Sequence, residues 1–189
     1  MSFENSFETP LQEVRLKHLP QEGLIIDVGG GGEGLVSRIE TSRVCVVDIN
    51  LNKIREGMIY GQVSQWILSD ARMLSVKDER FNVATLWFSL GYIRDWDSKK
   101  QVIAEVARVL RRSGRISILG ARTTCSDSRF VMRALFHFPD GAISKMSYGM
   151  DGTQRQDAEA VVKLLQETGF NNITSEDNGH WFRVDAQKP

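Results

Sequence analysis

Cysteine, histidine and net charge are all scarce in this chain of 189 residues. Two cysteines, Cys45 and Cys125, supply neither a disulfide framework nor a metal-ligand spacing. Cys45 lies in the apolar run Val44-Cys45-Val46-Val47 and reads as a small core residue, whereas Cys125 sits in a polar stretch as a free thiol. The three histidines, His18, His137 and His180, are far apart in sequence and share no ligand spacing, so no metal site is expected. Lys plus Arg and Asp plus Glu both number 24, for a formal charge of zero. That balance supplies no electrostatic case for a nucleic-acid or membrane-surface partner. No apolar run approaches the roughly 20 residues of a membrane span. Met1-Ser2-Phe3-Glu4-Asn5 lacks the basic and apolar segments of a secretory signal, which makes the cytoplasm the expected compartment. Internal repeats, low-complexity tracts and Pro/Gly/Ser linkers are missing too.

What remains is a plain globular composition, 41% hydrophobic and 25% charged, of a length that suits one domain with a sizeable core. The order of elements is informative. Thr9-Pro10-Leu11-Gln12 has the form of a helix start, with Thr9 as cap and Pro10 in the first turn, and the helix would stop at Pro20. Short apolar strands are expected at 24–28, 44–47, 66–68, 83–88 and 116–119. Helical patterns fall between them, around Leu35, Val36 and Ile39 and over 51–58. Asp97 is expected to cap an amphipathic helix carrying Val102, Ile103, Val106, Val109 and Leu110, with Gly114 at its C-terminus. A helix is expected in 122–152, with Phe130, Val131, Ala134, Leu135 and Phe138 on one face. The last helix, 158–165, ends at Gly169, and two closing strands, 173–175 and 181–186, are joined by a short polar turn. Strand–helix alternation with continuously apolar strands calls for a doubly wound, mostly parallel α/β sheet with helices on both faces. The closing pair should be an antiparallel hairpin.

The first strand runs into Asp27-Val28-Gly29-Gly30-Gly31-Gly32-Glu33-Gly34. Open α/β sheets bind ligands at such a place, beyond the carboxyl ends of the strands. Gly29, Gly31 and Gly34 complete a literal G-x-G-x-x-G, the dinucleotide fingerprint. Asp27 and Glu33 argue against a pyrophosphate there, since carboxylates repel it. They suit instead a ligand that carries an ammonium and a sulfonium. Asp48 follows the second strand about twenty residues on, where an acid accepts both ribose hydroxyls. Asp70 follows the third, where a carboxylate can accept from an adenine amino group.

These residues resemble the motifs of the class I S-adenosylmethionine-dependent methyltransferases, of the methyltransferase type 11 kind. The run 24–31 resembles their first motif, Asp48 their ribose-binding acid, and Asp70-Ala71 their adenine-side pair. The run 81–90 resembles their fourth-strand motif, and 109–116 their helix–glycine–strand passage. The likeness covers roughly 24–121, with fainter support from 164–170. It implies a Rossmann-like sheet of seven strands, the last antiparallel, and S-adenosylmethionine as methyl donor with S-adenosylhomocysteine as product. It implies cofactor contacts from Asp27, Gly29, Gly30, Gly31, Asp48, Ile49, Asp70, Ala71, Phe88 and Ser89. Two departures stand out: Glu33 holds the position of the family's third glycine, with Gly34 next, and Asn82 stands where an Asp is common.

The expected layout is a single methyltransferase domain over 1–189. An N-terminal helix in 1–20 covers the site, 21–121 is the cofactor-binding core, 122–152 caps the substrate, and 153–189 holds the last helix and strand pair. Tyr92, Phe130 and His137 are the candidate substrate contacts, within a wall that also includes Phe7, Met132, Phe136, Phe138, Met146 and Tyr148. Neutral charge and short length favour a small-molecule acceptor; nothing in the sequence sets an oligomeric state. No residue is assigned to acid–base catalysis, because an in-line displacement from a sulfonium releases a neutral thioether without protonation. Two competing readings are a nicotinamide-dependent oxidoreductase using the literal G-x-G-x-x-G, and a nucleoside-binding module without catalysis.

Overall fold

The computed structural model describes residues 6–20, 22–60, 65–124 and 127–189; Cys125 lies outside them. In chain order, β1 (Ser6–Glu8) and β2 (Gln12–Arg15) precede β3 (Ile25–Val28), α1 (Leu35–Glu40), β4 (Val44–Asp48), α2 (Leu51–Tyr60) and β5 (Gln65–Leu68). Then come β6 (Phe81–Trp87), α3 (Trp96–Val109) and β7 (Leu110–Ala121). The chain closes with β8 (Arg129–His137), β9 (Ile143–Asp151), α4 (Ala158–Glu167), β10 (Asn171–Asp177) and β11 (Trp181–Gln187).

Seven strands form the main sheet in the order β10-β11-β7-β6-β3-β4-β5. β3 pairs in parallel with both β4 and β6, and β11 is antiparallel to its neighbours β7 and β10. The chain therefore winds outward from β3 in both directions, and the switch point lies beyond the ends of β3 and β6. Alternate residues of each central strand feed two cores. Ile26, Val28, Cys45, Val47 and Leu86 pack on one face with Val102, Ile103 and Val106 of α3 and Val161 and Leu165 of α4. Ile25, Val44, Val46 and Val83 pack on the other with Leu35 and Val36 of α1.

That second face is completed by a four-stranded sheet, and here the structure departs from the helices expected at both places. The segment 122–152 is not helical: β8 and β9 form an antiparallel hairpin with Phe130 opposite Met150 and Phe136 opposite Ser144. The segment carries two periodicities at once. Phe130, Val131, Ala134, Leu135 and Phe138 suit a helix, but Phe130, Met132, Ala134, Phe136 and Phe138 alternate, and these five are the buried ones. The turn decides between them. Asp140 Oδ1 accepts from the Ala142 amide at 2.9 Å, Gly141 takes φ +86°, and Phe138 N–H bonds Ala142 C=O at 2.9 Å. Pro139-Asp140-Gly141 is thus the hairpin signal.

Nor do residues 9–20 form a helix. β1 and β2 run parallel to β8 along one edge, interrupted at Pro10, which has no N–H to offer a ladder. Thr9 caps nothing; its buried Oγ1 accepts from the Arg133 amide at 3.0 Å and so closes the gap between the two short strands. Two smaller corrections concern α3. Its cap is Asp95, whose Oδ1 accepts from the Ser98 amide at 2.7 Å, and Asp97 stands in the first turn. The helix ends at Val109, and Gly114 lies inside β7, where a Cβ would stand 2.8 Å from the Arg111 carbonyl oxygen.

Candidate active site

A cavity of about 820 Å³ opens at the switch point. All ten residues expected to hold the cofactor line it: Asp27, Gly29, Gly30 and Gly31 from the turn after β3, Asp48 and Ile49 after β4, Asp70 and Ala71 after β5, Phe88 and Ser89 after β6.

The glycine turn is built by close contacts. Gly29 takes φ +74°, and a Cβ on it would stand 2.4 Å from the Cβ of Ser89, so a side chain is excluded twice over. The Ser89 hydroxyl donates to Val28 C=O at 2.7 Å, locking the end of β6 to the end of β3. Glu33 is exposed at the cavity rim, and Gly34 takes the left-handed backbone (φ 56°) that leads into α1, so the departure at Glu33 is absorbed one residue later.

Asp27 is 2% exposed. Thr85 Oγ1 donates to its Oδ1 at 2.6 Å, while Oδ2 receives no hydrogen bond from the described residues. Burial pushes its pKa up to about 7; the Thr85 hydrogen bond opposes this and the Asp48 charge adds to it. Asp48 stands at the end of β4 with Oδ2 accepting from the Gly31 amide at 3.1 Å and Oδ1 from the Asn50 amide at 2.8 Å. One carboxylate thus ties the glycine turn to the start of α2, and each oxygen keeps a lone pair. Asp70 is held by Arg72 through three side-chain contacts of 2.6–3.1 Å, which keep its pKa below the usual carboxylate range.

Phe88 is buried with φ 59°, a left-handed conformation rare for a bulky residue. Its ring stacks on Tyr148 of β9 with centroids 4.7 Å apart and planes 16° off parallel. Tyr148, Met146 and Ser147 line the cavity, so the hairpin supplies one wall where a helix was expected to cap the site. Burial raises the pKa of Tyr148 and of Tyr92, so both phenols stay protonated near neutral pH. Tyr92 is 54% exposed and also lines the cavity.

The other expected substrate contacts lie elsewhere. Phe130 is buried in the core and stacks on Phe7 at 5.7 Å. His137 ends β8, with Nε2 3.6 Å from Glu13 Oε2. Neither lines the cavity, and neither do Phe7, Met132, Phe136, Phe138 or any residue of 6–20. Sequence reasoning passed over Lys53, Trp87, Ser147, Arg72 and Arg94, which do line it. Strand alternation over 143–151 turns Met146 and Tyr148 inward and leaves Ser147 on the exposed side, so no local pattern marks Ser147, and none marks the two arginines.

The cavity's charge is informative. Its acids are Asp27, Glu33, Asp48, Glu56, Asp70 and Asp95, and its bases are Lys53, Arg72 and Arg94. Lys53 is paired with Glu56 and Arg72 with Asp70, which leaves an excess of carboxylate. Such a surface opposes a pyrophosphate and favours a cationic ligand. Among the described residues no cluster of His, Cys, Asp or Glu could hold a metal ion.

Residues 26–118 match the family model described as a methyltransferase domain. The chain is 31% identical over 104 residues to the ubiquinone/menaquinone biosynthesis C-methyltransferase of Paraburkholderia phymatum, a match spanning 50% of this chain and 42% of that protein. The corresponding enzyme of Stutzerimonas stutzeri is 33% identical over 107 residues, spanning 50% and 40%. The chain thus aligns with less than half the length of these curated relatives. Among solved structures, an S-adenosylmethionine-dependent methyltransferase from Methanosarcina mazei superposes with a TM-score of 0.63 at 19% identity, covering 90% of this chain and 94% of the other. One from Mesorhizobium loti reaches 0.64 at 15% identity with the same coverage. These two share the fold. The motif order, the sheet topology and the family match together support a class I S-adenosylmethionine-dependent methyltransferase domain over residues 26–118.

Proposed function

We propose that this protein binds S-adenosylmethionine and transfers its methyl group to a small-molecule acceptor. The observation that carries the reading is the convergence of Asp27, the glycine turn, Asp48, Asp70 and the Phe88–Ser89 corner on one acid-rich cavity at the switch point. The residues fit the ligand. Asp27 presents a buried carboxylate whose Oδ2 receives no hydrogen bond from the described residues, a site that a cation would complete. Asp48 offers two carboxylate oxygens at the cavity edge, as a vicinal diol requires. When bound, S-adenosylmethionine supplies a methyl group activated on a sulfonium.

The chain's own part is to bind, align and shield. Phe88, Tyr148 and Met146 wall the cavity on the side of β9 and keep water from that face. Tyr148 and Tyr92, protonated at neutral pH, can donate hydrogen bonds and cannot accept a proton. Alignment of two bound reactants supplies on the order of 7–11 kcal/mol of barrier lowering, which leaves little need for an acid–base residue. The curated relatives are named for methylation at carbon in quinone biosynthesis. An acceptor with a planar, apolar portion suits the aromatic wall here.

Thermal-shift measurements with S-adenosylmethionine, S-adenosylhomocysteine and NAD test the cofactor. Ligands that bind the native state raise the melting temperature by mass action. Stabilisation by the first two and none by NAD is expected; the reverse order would restore the nicotinamide reading.

A further inference from the structure

A second cavity, of about 430 Å³, adjoins the first. Tyr92 and Arg94 line both, so the two meet at the turn that follows β6. Its remaining walls come from Gly91, Gln154, Arg129 of β8 and the 149–151 end of β9. Its charge differs from that of the cofactor cavity: two guanidiniums, Arg94 and Arg129, face a single carboxylate, Asp151.

Some arginines of this protein are committed to carboxylates. Arg43, Arg72, Arg108, Arg122, Arg133 and Arg155 each stand against a carboxylate. The side chains of Arg94 and Arg129 make no hydrogen bond and no close ion pair among the described residues; the Arg94 charge acts on Asp151 from a distance, adding to the Thr153 hydrogen bonds that hold that carboxyl low. Asp151 does not neutralise them as a pair. Its Oδ1 is taken by the amide and hydroxyl of Thr153, at 3.0 and 2.6 Å, which hold the turn after β9. The space is also prepared. Gly149 has no positive φ and so no conformational need to be glycine, yet the point where its Cβ would stand is 3.9 Å from Arg129 Nη2. The missing side chain leaves room beside the guanidinium.

The geometry points to this second cavity as the binding site for an anionic handle on the methyl acceptor, and specifically for a carboxylate. The inference rests on the methyltransferase reading of the adjoining cavity. Arginine forks match the two oxygens of a carboxylate. Two guanidiniums against one aspartate leave one positive charge, which suits a monoanion better than a doubly charged phosphate. A molecule anchored here reaches the cofactor cavity across Tyr92, with its reactive end beside the Phe88–Tyr148 wall. The acceptor class is therefore a small carboxylic acid with a planar, apolar body.

Calorimetry on the full chain tests this in two stages. The first titrates S-adenosylhomocysteine alone; absence of binding there refutes the cofactor reading itself. The second titrates benzoate, benzamide and inorganic phosphate into protein saturated with S-adenosylhomocysteine. Benzoate is expected to bind at least about tenfold more tightly than either of the others, and Arg94→Gln and Arg129→Gln to weaken it each by about tenfold or more. Arg129→Gln, outside the cofactor cavity, should keep S-adenosylhomocysteine affinity within about twofold, and both exposed-site variants should melt like the parent. Absence of benzoate binding, benzamide binding as well as benzoate, or benzoate affinity unchanged in both variants overturns the anion site. Phosphate binding more tightly than benzoate overturns the carboxylate assignment.

Discussion

The Thr85 hydroxyl stands 2.6 Å from Oδ1 of Asp27 and makes the one hydrogen bond that this buried carboxylate receives from the described residues. A single neutral donor does not offset the loss of water, and the Asp27 pKa rises from 3.8 to about 7. The folded state therefore favours the protonated form. The resulting stability is complete below about pH 4, where the unfolded chain is protonated too, and is lost as pH rises through 7. Asp27→Asn removes the ionisation. Without ligand, its stability should gain on the parent's between pH 5 and pH 8, towards a limit of roughly 4 kcal/mol, seen as a widening difference in melting temperature. Cofactor affinity of the parent should rise over the same interval, because a cation favours the ionised carboxylate, and the variant should lose most of it. A melting difference that does not change with pH would mean that Asp27 ionises in the fold without cost.

Asp48 carries a second expectation. Its two oxygens bind the amides of Gly31 and Asn50 and face the cavity where a ribose would lie. Loss of a charge-assisted bidentate contact costs on the order of 2 kcal/mol. Asp48→Ala should therefore weaken S-adenosylmethionine more than about tenfold in calorimetry. Unchanged affinity would remove Asp48 from the cofactor site.

Catalysis by alignment has its own test. His137 sits at the far end of β8 against Glu13, and His180 lies outside the cavity. Tyr148 touches the cavity, but burial keeps its phenol protonated. His137→Ala, His180→Ala and Tyr148→Phe should each retain most of kcat once an acceptor is in hand. A loss above about a hundredfold in any of them, with cofactor binding intact, would identify general acid–base catalysis.

The hairpin that closes the main sheet depends on one small residue. A Cβ at Gly120 of β7 would stand 2.4 Å from the ring of Phe182, its register partner in β11. Gly120→Ala should destabilise the protein by about 1–3 kcal/mol in denaturant titration. Phe182→Leu in the same background should recover part of that loss, since the two sites share one contact. Strict additivity of the two changes would show that the ring does not limit the space.

The main sheet was readable from the chain alone because its signals are local and agree with one another. Ile25-Ile26-Asp27-Val28 is apolar on both sides of the pleat, turns on glycines, and is followed at helical spacing by Leu35 and Val36. Buried parallel strands and their connecting helices carry this pattern wherever they occur. Their order places Asp27, Asp48, Asp70 and Ser89 at one end of the sheet without further information, since every strand of the parallel set points the same way.

The second sheet was not readable in that way. Residues 129–138 carry a helical and an alternating apolar pattern together, and which one is realised depends on Met146, Tyr148 and Met150 arriving from the facing strand. Thr9-Pro10 has the form of a helix start, but β8 offers an open edge, and filling it satisfies more backbone groups than a free helix end would. The second cavity is a tertiary product altogether. Arg94 and Arg129 belong to different elements, and an even count of acids and bases says nothing of where they meet. Local pattern determined the main sheet and the turns at its end, because period and turn chemistry act over a few residues. Long-range strand pairing decided the second sheet, because the edge of β8 is completed only by residues far away in the chain.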